Sequence, residues 1–285
     1  MDDKIIAIYC LLDDFLKAQH HREDKRARMS DAEVMTTALV AALFFGGRLE
    51  RARALLCAPQ YIPSMLSKSR LNRRLHALIP HFEAFFYALA EHAKERLPES
   101  EPPTFVLDTY PVPCCALIRY KRCRLFPASH LNERGKPAYR GYCASKRTYF
   151  YGLKLHLVVT ATGIPVEFGL SPGAMSDLHG WRTLALNLGS GAELLVDKGY
   201  TDYVCEDALL FGDGIRLRPL RRKDAKRREP AWEHYLNSVR RKIIETTLSR
   251  LTGLLPRWIH AVTGQGFALK VLWFVTAVAL DMMLP

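Results

Sequence analysis

The sequence predicts an α/β protein: a mixed β-sheet flanked by helices, preceded by an all-α N-terminal domain. Three observations predict it. Helical punctuation fills the first hundred residues, with the capping box Ser30-Asp31-Ala32-Glu33 leading into the apolar stretch 34–45. A Pro- and Glu-rich segment, 98–103, then interrupts the chain. Beyond it, short apolar runs and strict alternation take over. In 149–160, Leu153, Leu155 and Leu157 share one face, and Lys154 and His156 the other. The expected domains are 1–98, helical, and 104–285, built on the sheet.

The elements follow in order. Gly46-Gly47 stops the first capped helix. Further helices fit 49–57, 68–78 and 81–96. The helix at 68–78 carries Lys68, Arg70, Arg73 and Arg74. A basic last helix is what a helix-turn-helix would lay in a major groove. A small bundle with a charged face reads the same way. Strands fit 104–108, 149–160, 164–170, 193–197 and 215–217, the second and third joined by Ala161-Thr162-Gly163. Ser176 reads as the N-cap of a helix over 177–188. A last long helix fits 232–254.

Composition narrows the class. With 285 residues and 49% hydrophobic content, a full core is available and wholesale disorder is excluded. Lys and Arg total 41 against 29 acids, a net charge of +12. A globular chain this basic meets a polyanion; the bland counterpart is a solvated basic surface. Met1-Asp2-Asp3-Lys4 lacks the basic start of a secretory signal. The most apolar run, 271–280, falls short of the roughly 20 residues that span a bilayer and reads as a buried helix. Seven cysteines, an odd number, suit a reducing cytoplasm. Cys114, Cys115 and Cys123 cluster without a CxxC pair, so packing thiols are the favoured reading over zinc ligands.

Cations concentrate in two stretches. Arg216, Arg218, Arg221, Arg222, Lys223, Lys226, Arg227 and Arg228 lie close together, opposed by Asp224 alone. A second stretch, 120–147, mixes aromatics with cations that include Lys146 and Arg147. Such loops suit phosphate, and each neutralised phosphate adds salt dependence.

Three acids carry the chemistry. Asp108 follows the apolar run 104–107, Asp197 follows 194–196, and Glu245 follows the basic stretch 240–242 on a helix. Strand interiors exclude charge, so two acids at strand ends are unusual. Carboxylates are the ligands Mg²⁺ and Mn²⁺ prefer. Phosphodiester cleavage uses two such ions about 3.5–4 Å apart. Asp108 suits the bridging ligand, with Asp197 and Glu245 completing one ion each. Arg241, one turn before Glu245, would orient that acid or hold the scissile phosphate; an exposed ion pair worth about 0.3–0.5 kcal/mol is the alternative. His156 and His179 are candidates beside the metals, and Asp177 reads as a helix N-terminal acid.

These blocks resemble a known family. Leu107-Asp108-Thr109, Tyr151-Gly152-Leu153-Lys154-Leu155-His156, Val196-Asp197-Lys198-Gly199-Tyr200 and Arg241-Lys242-Ile243-Ile244-Glu245 look like DDE transposases of bacterial insertion sequences. Pro111-Val112-Pro113-Cys114-Cys115 and Gly141-Tyr142-Cys143-Ala144 are similar to the insertion sequence 982 family. The resemblance covers roughly 104–255. It implies an RNase H-like catalytic domain with Asp108, Asp197 and Glu245 as catalytic and metal-binding triad, loaded with two Mg²⁺ (or Mn²⁺) ions. It implies nicking at the element's ends, then attack of the freed 3′-hydroxyl on target DNA. The implied partners are double-stranded DNA (terminal inverted repeats and target) and further copies of the chain, as a homodimer or larger multimer in the cytoplasm, with no membrane. Arg241, Lys198, Lys146, Arg147, Arg221, Arg222, Lys223, Arg73 and Arg74 are the expected DNA contacts. On the Glu245 helix, Ser238 and Thr252 stand where relatives carry Tyr and Lys. The competing readings are an RNase H-like nuclease without strand transfer and an inactive, transposase-derived DNA-binding protein.

Overall fold

The computed structural model describes every residue except Glu99, Ser145, Lys223, Asp224 and Pro285. The chain divides into two compact units. One joins 1–89 to 250–285, and the other is 90–249. The border therefore falls before the linker at 98–103, and the C-terminal helix groups with the N-terminal helices instead of with the sheet.

The first unit is helical: α1 (Asp2–Ala18), α2 (Asp31–Phe45), α3 (Leu49–Leu56), α4 (Lys68–Ala77), most of α5 (Ile79–Glu95) and, at the C-terminal end, α10 (Gly264–Met283). In α1, Ile5, Ile8, Leu12 and Leu16 repeat at helical spacing and are buried. The Ser30 hydroxyl accepts the Glu33 N–H while the Glu33 carboxylate accepts the Ser30 N–H, which completes the capping box of α2. From Asp31 to Ala42 almost every residue of α2 is buried, so this helix forms the centre of the unit, with α1, α3 and α10 packed around it. Gly47 lies in the left-handed region at φ 73°, and a Cβ there would sit 2.8 Å from the Phe274 ring. α10 is long and apolar enough to cross a bilayer, yet residues 271–280 are buried inside the unit.

The second unit holds the sheet: β1 (Thr104–Cys115), β2 (Arg140–Cys143), β3 (Thr148–Thr160), β4 (Pro165–Pro172), β5 (Glu193–Val196) and β6 (Arg216–Pro219). The order is β2-β3-β1-β5-β6, with β4 paired to β3. β3 is antiparallel to β1, β2 and β4, whereas β1, β5 and β6 pair in parallel. The sheet is thus mixed, as expected. Helices α6 (Asp177–Trp181), α7 (Tyr203–Gly212), α8 (Ala231–Arg240) and α9 (Lys242–Leu254) accompany it. Phe105, Leu107, Val158, Val166, Leu194, Val196, Leu217 and Trp181 share one buried core.

Helix α1 and strand β2 were not expected, and three other elements take bounds that differ from expectation. β1 runs on through Cys115, because β3 is long enough to pair with it that far. The helix at 177–188 stops at Trp181. Its continuation carries Leu184, Leu186 and Leu188 at alternate positions, all packed on the core, and that period needs extended chain. The single helix over 232–254 is two helices, α8 and α9, parted at Arg241.

Candidate active site

β5 decides where the site begins. The last β1–β5 pair is Val106 with Leu195. Two residues further along each strand come Asp108 and Asp197, on matching positions of parallel neighbours. Beyond them β5 gives way to a 3₁₀ turn, Lys198–Tyr200, while β1 continues against β3. Asp108 is thus inside a strand by its β3 pairing and at the sheet's parting by its β5 pairing. The parting opens room for charge that a continuous sheet would exclude.

Asp108 is well furnished. One carboxylate oxygen accepts the Thr109 N–H at 2.8 Å, and the other accepts from Arg241 at 3.0 Å. Burial raises the Asp108 carboxyl above its usual range. The Thr109 N–H and the Arg241 charge pull it down, and the Asp197 and Asp177 charges push it up. Those two acids are therefore its electrostatic neighbours. Asp177, in the first turn of α6, is held by Lys154 at 2.8 Å, and Lys154 also reaches the Met175 carbonyl. Glu245 is exposed, in the first turn of α9. The carboxylates of Asp108, Asp197 and Glu245 do not all converge within 4.8 Å of one another; among the described residues, the groups that do are elsewhere.

A polar chain supports Asp108 from behind. Thr109 Oγ1 contacts the Tyr200 hydroxyl and lies 3.3 Å from His156 Nδ1, and His156 Nε2 lies 2.8 Å from Ser171 Oγ. His156 is fully buried, and its pKa falls to about 4 through desolvation. It is neutral near pH 7 and faces Thr109 and Ser171. His179 is exposed and bonds Ser176 inside the α6 cap. Sequence reasoning missed Thr109, Ser171 and Tyr200 in this role. Their signal was period two: Thr109 opposite His156 in register, and Ser171 on the far side of β3.

The expected DNA contacts separate into two groups. Arg241 bonds Asp108. Lys146 lies 5.4 Å over the Tyr110 ring, two residues along β1 from Asp108. Lys198 and Arg147 are exposed, the latter in a turn at φ 50°. Arg73 and Arg222 are exposed as well. Arg221 is engaged within the protein: it makes two bonds to the buried Glu206 carboxylate, 2.8 and 2.7 Å, and is itself half-buried. Arg74 is tied to Asp31 and the Met29 carbonyl. Lys223 lies outside the described residues. The basic run is thus partly internal structure, since Arg216, Arg218 and Arg227 also pair with acids.

Residues 103–256 match the family model described as Transposase DDE domain, from the start of β1 to just beyond α9. The chain belongs to this family. It is also similar, at 12% identity and a TM-score of 0.40, to a chain of the cryo-EM structure of a piggyBac transposase synaptic complex with hairpin DNA. That alignment covers 99% of this chain and 66% of the other, so the present chain spans about two thirds of its length. No curated protein matches.

Proposed function

We propose that this chain is a DDE transposase that cuts DNA at the ends of a mobile element and joins the freed 3′-hydroxyl to target DNA. One observation carries the reading: Asp108 and Asp197 lie at matching positions, two residues beyond the last β1–β5 pair, in a domain of this family. The donor set fits a hard divalent cation, since both side chains are carboxylates at the parting of the sheet. Asp108 and Asp197 would hold it, and Glu245 would join them by a side-chain swing or a shift of the α8–α9 joint. When bound, Mg²⁺ or Mn²⁺ supplies charge stabilisation at the scissile phosphate and a more acidic water.

The chain's own residues do the rest. Arg241 neutralises Asp108 in this form and is free to turn to a phosphate once another cation takes that role. The chain Tyr200–Thr109–His156–Ser171 holds the β1 backbone at Asp108 in one geometry. Lys146, Arg147 and Lys198 offer phosphate contacts around the acids. The helical unit would bind the element's ends, with Arg73 as a contact, and the working assembly would be a multimer in the cytoplasm.

The test is strand transfer. Full-length protein is mixed with a supercoiled plasmid, Mg²⁺ or Mn²⁺, and 3′-hydroxyl duplexes taken from the DNA that borders its reading frame. Joined products that vanish with Asp197→Ala are expected. Cleavage without joining would replace the proposal with a nuclease. Binding without either reaction would replace it with an inactive DNA-binding protein.

A further inference from the structure

The end of β1 carries a feature that DNA chemistry leaves unused. Cys114, Cys115 and Cys123 bring their sulfurs within 4.8 Å of one another, and Cys114 Sγ is 3.7 Å from Cys123 Sγ. Adjacent residues of a regular strand point to opposite faces, so Cys114 and Cys115 should not meet at one point. The β1–β3 register shifts between Pro113 and Cys115, and that irregularity lets both thiols reach it. A short 3₁₀ helix, Leu117–Arg122, then turns the chain back and delivers Cys123.

We propose that these three thiols form a zinc site. Around tetrahedral zinc, with Zn–S of about 2.3 Å, neighbouring sulfurs lie about 3.8 Å apart. The Cys114–Cys123 separation already has that value. All three cysteines are free thiols, with Cys114 buried and the other two part-exposed, so an ion can enter and the fourth position stays open to water or an added thiol. Arg119, close to Cys115, would offset the thiolate charge on binding. The ion would staple the basic segment after β1, with Arg119, Lys121 and Arg122, to the strand that carries Asp108. The site is independent of the acids and of any reading of their function.

The experiment measures metal directly. Full-length protein, purified reduced from zinc-supplemented cells, is analysed for metal and then exchanged with Co²⁺. Expected are about one zinc per chain and a sulfur-to-cobalt charge-transfer band. Cys123→Ser should lose both, with affinity down by more than about tenfold, since even outer-shell partners cost that much. Asp197→Ala should keep both, which separates this site from a carboxylate site. Limited proteolysis after Arg119–Arg124 should quicken on chelation. No bound zinc in wild type, a cobalt band unchanged by Cys123→Ser, or a Cys114–Cys123 disulfide in zinc-free protein would each overturn the proposal. If Cys123→Ser misfolds, the wild-type metal content and spectrum, with part-exposed Cys115→Ser, still decide it.

Discussion

Arg241 interrupts the helical run between Ala231 and Leu254 and, from that break, donates to Asp108 at 3.0 Å. The helix joint and the acid are thus one unit. An unbroken helix would carry Arg241 only as a neighbour of Glu245. The bend spends it on the sheet, and Glu245 is left exposed one turn later.

On the proposed function, in which Asp108 would hold a divalent cation, Asp108→Asn should lower cleavage more than about 100-fold. DNA binding, measured by fluorescence anisotropy, should stay within about threefold, since the exposed cations lie on other side chains. Cleavage at the wild-type rate would remove Asp108 from the site.

Arg221 and Arg222 should behave differently despite being neighbours. Arg221→Ala leaves the buried Glu206 carboxylate to the longer 3.4 Å contact with Arg227 and should cost about 1–3 kcal/mol in urea unfolding. Arg222→Ala should leave stability within about 0.5 kcal/mol. It should instead weaken binding of all DNA sequences alike and reduce the salt slope by about one. Equal stability loss in the two variants would contradict the pairing.

Glu167 gives a pH signature. Burial raises its carboxyl from 4.5 to about 7, with Lys94 and the Asn187 N–H offsetting only part. The folded state holds this proton more tightly than the unfolded state. Its contribution is therefore full below pH 4.5 and is lost as pH rises through 7. Glu167→Gln should stabilise the protein by about 1–3 kcal/mol at pH 8 and change little at pH 4.5. Melting curves at the two pH values check it; a pH-independent difference would be inconsistent with the burial argument.

Gly180 tests the polar chain behind Asp108. A Cβ there would sit 2.3 Å from His156 Nε2 and 2.8 Å from Ser171 Oγ. Gly180→Ala should therefore destabilise by about 1–3 kcal/mol. Cleavage should fall with it at temperatures where the variant remains folded, since the displaced His156 no longer holds Thr109. A variant as stable as wild type would show that His156 and α6 move apart freely.

Much of the helical unit was legible because its signals are local. The capping box at Ser30, the Gly46 stop and the buried run 271–280 depend on residues a few positions apart. The alternation of β3 and the apolar run of β5 were legible for the same reason. The candidate site was legible in part: both acids follow apolar runs, and Asp108 and Asp197 lie two residues beyond the last shared rung of β1 and β5, Val106 with Leu195, although β1 itself runs on through Cys115. Arg221 was misjudged, because composition counts a cation without knowing that Glu206 lies buried beside it.

By itself, then, the sequence determined most element types and the alternating faces, and it marked Asp108 and Asp197 as acids that follow apolar runs, since propensity and periodicity act over one or two turns of chain. Tertiary structure alone decided what meets what. It broke the helix at Arg241, ended α6 so that Leu184, Leu186 and Leu188 could alternate onto the core, and moved the C-terminal helix to the N-terminal unit. It also sorted the cations into those paired internally and those left to solvent. Each of these outcomes depends on burial and charge pairing between residues far apart in sequence, and no local pattern encodes that.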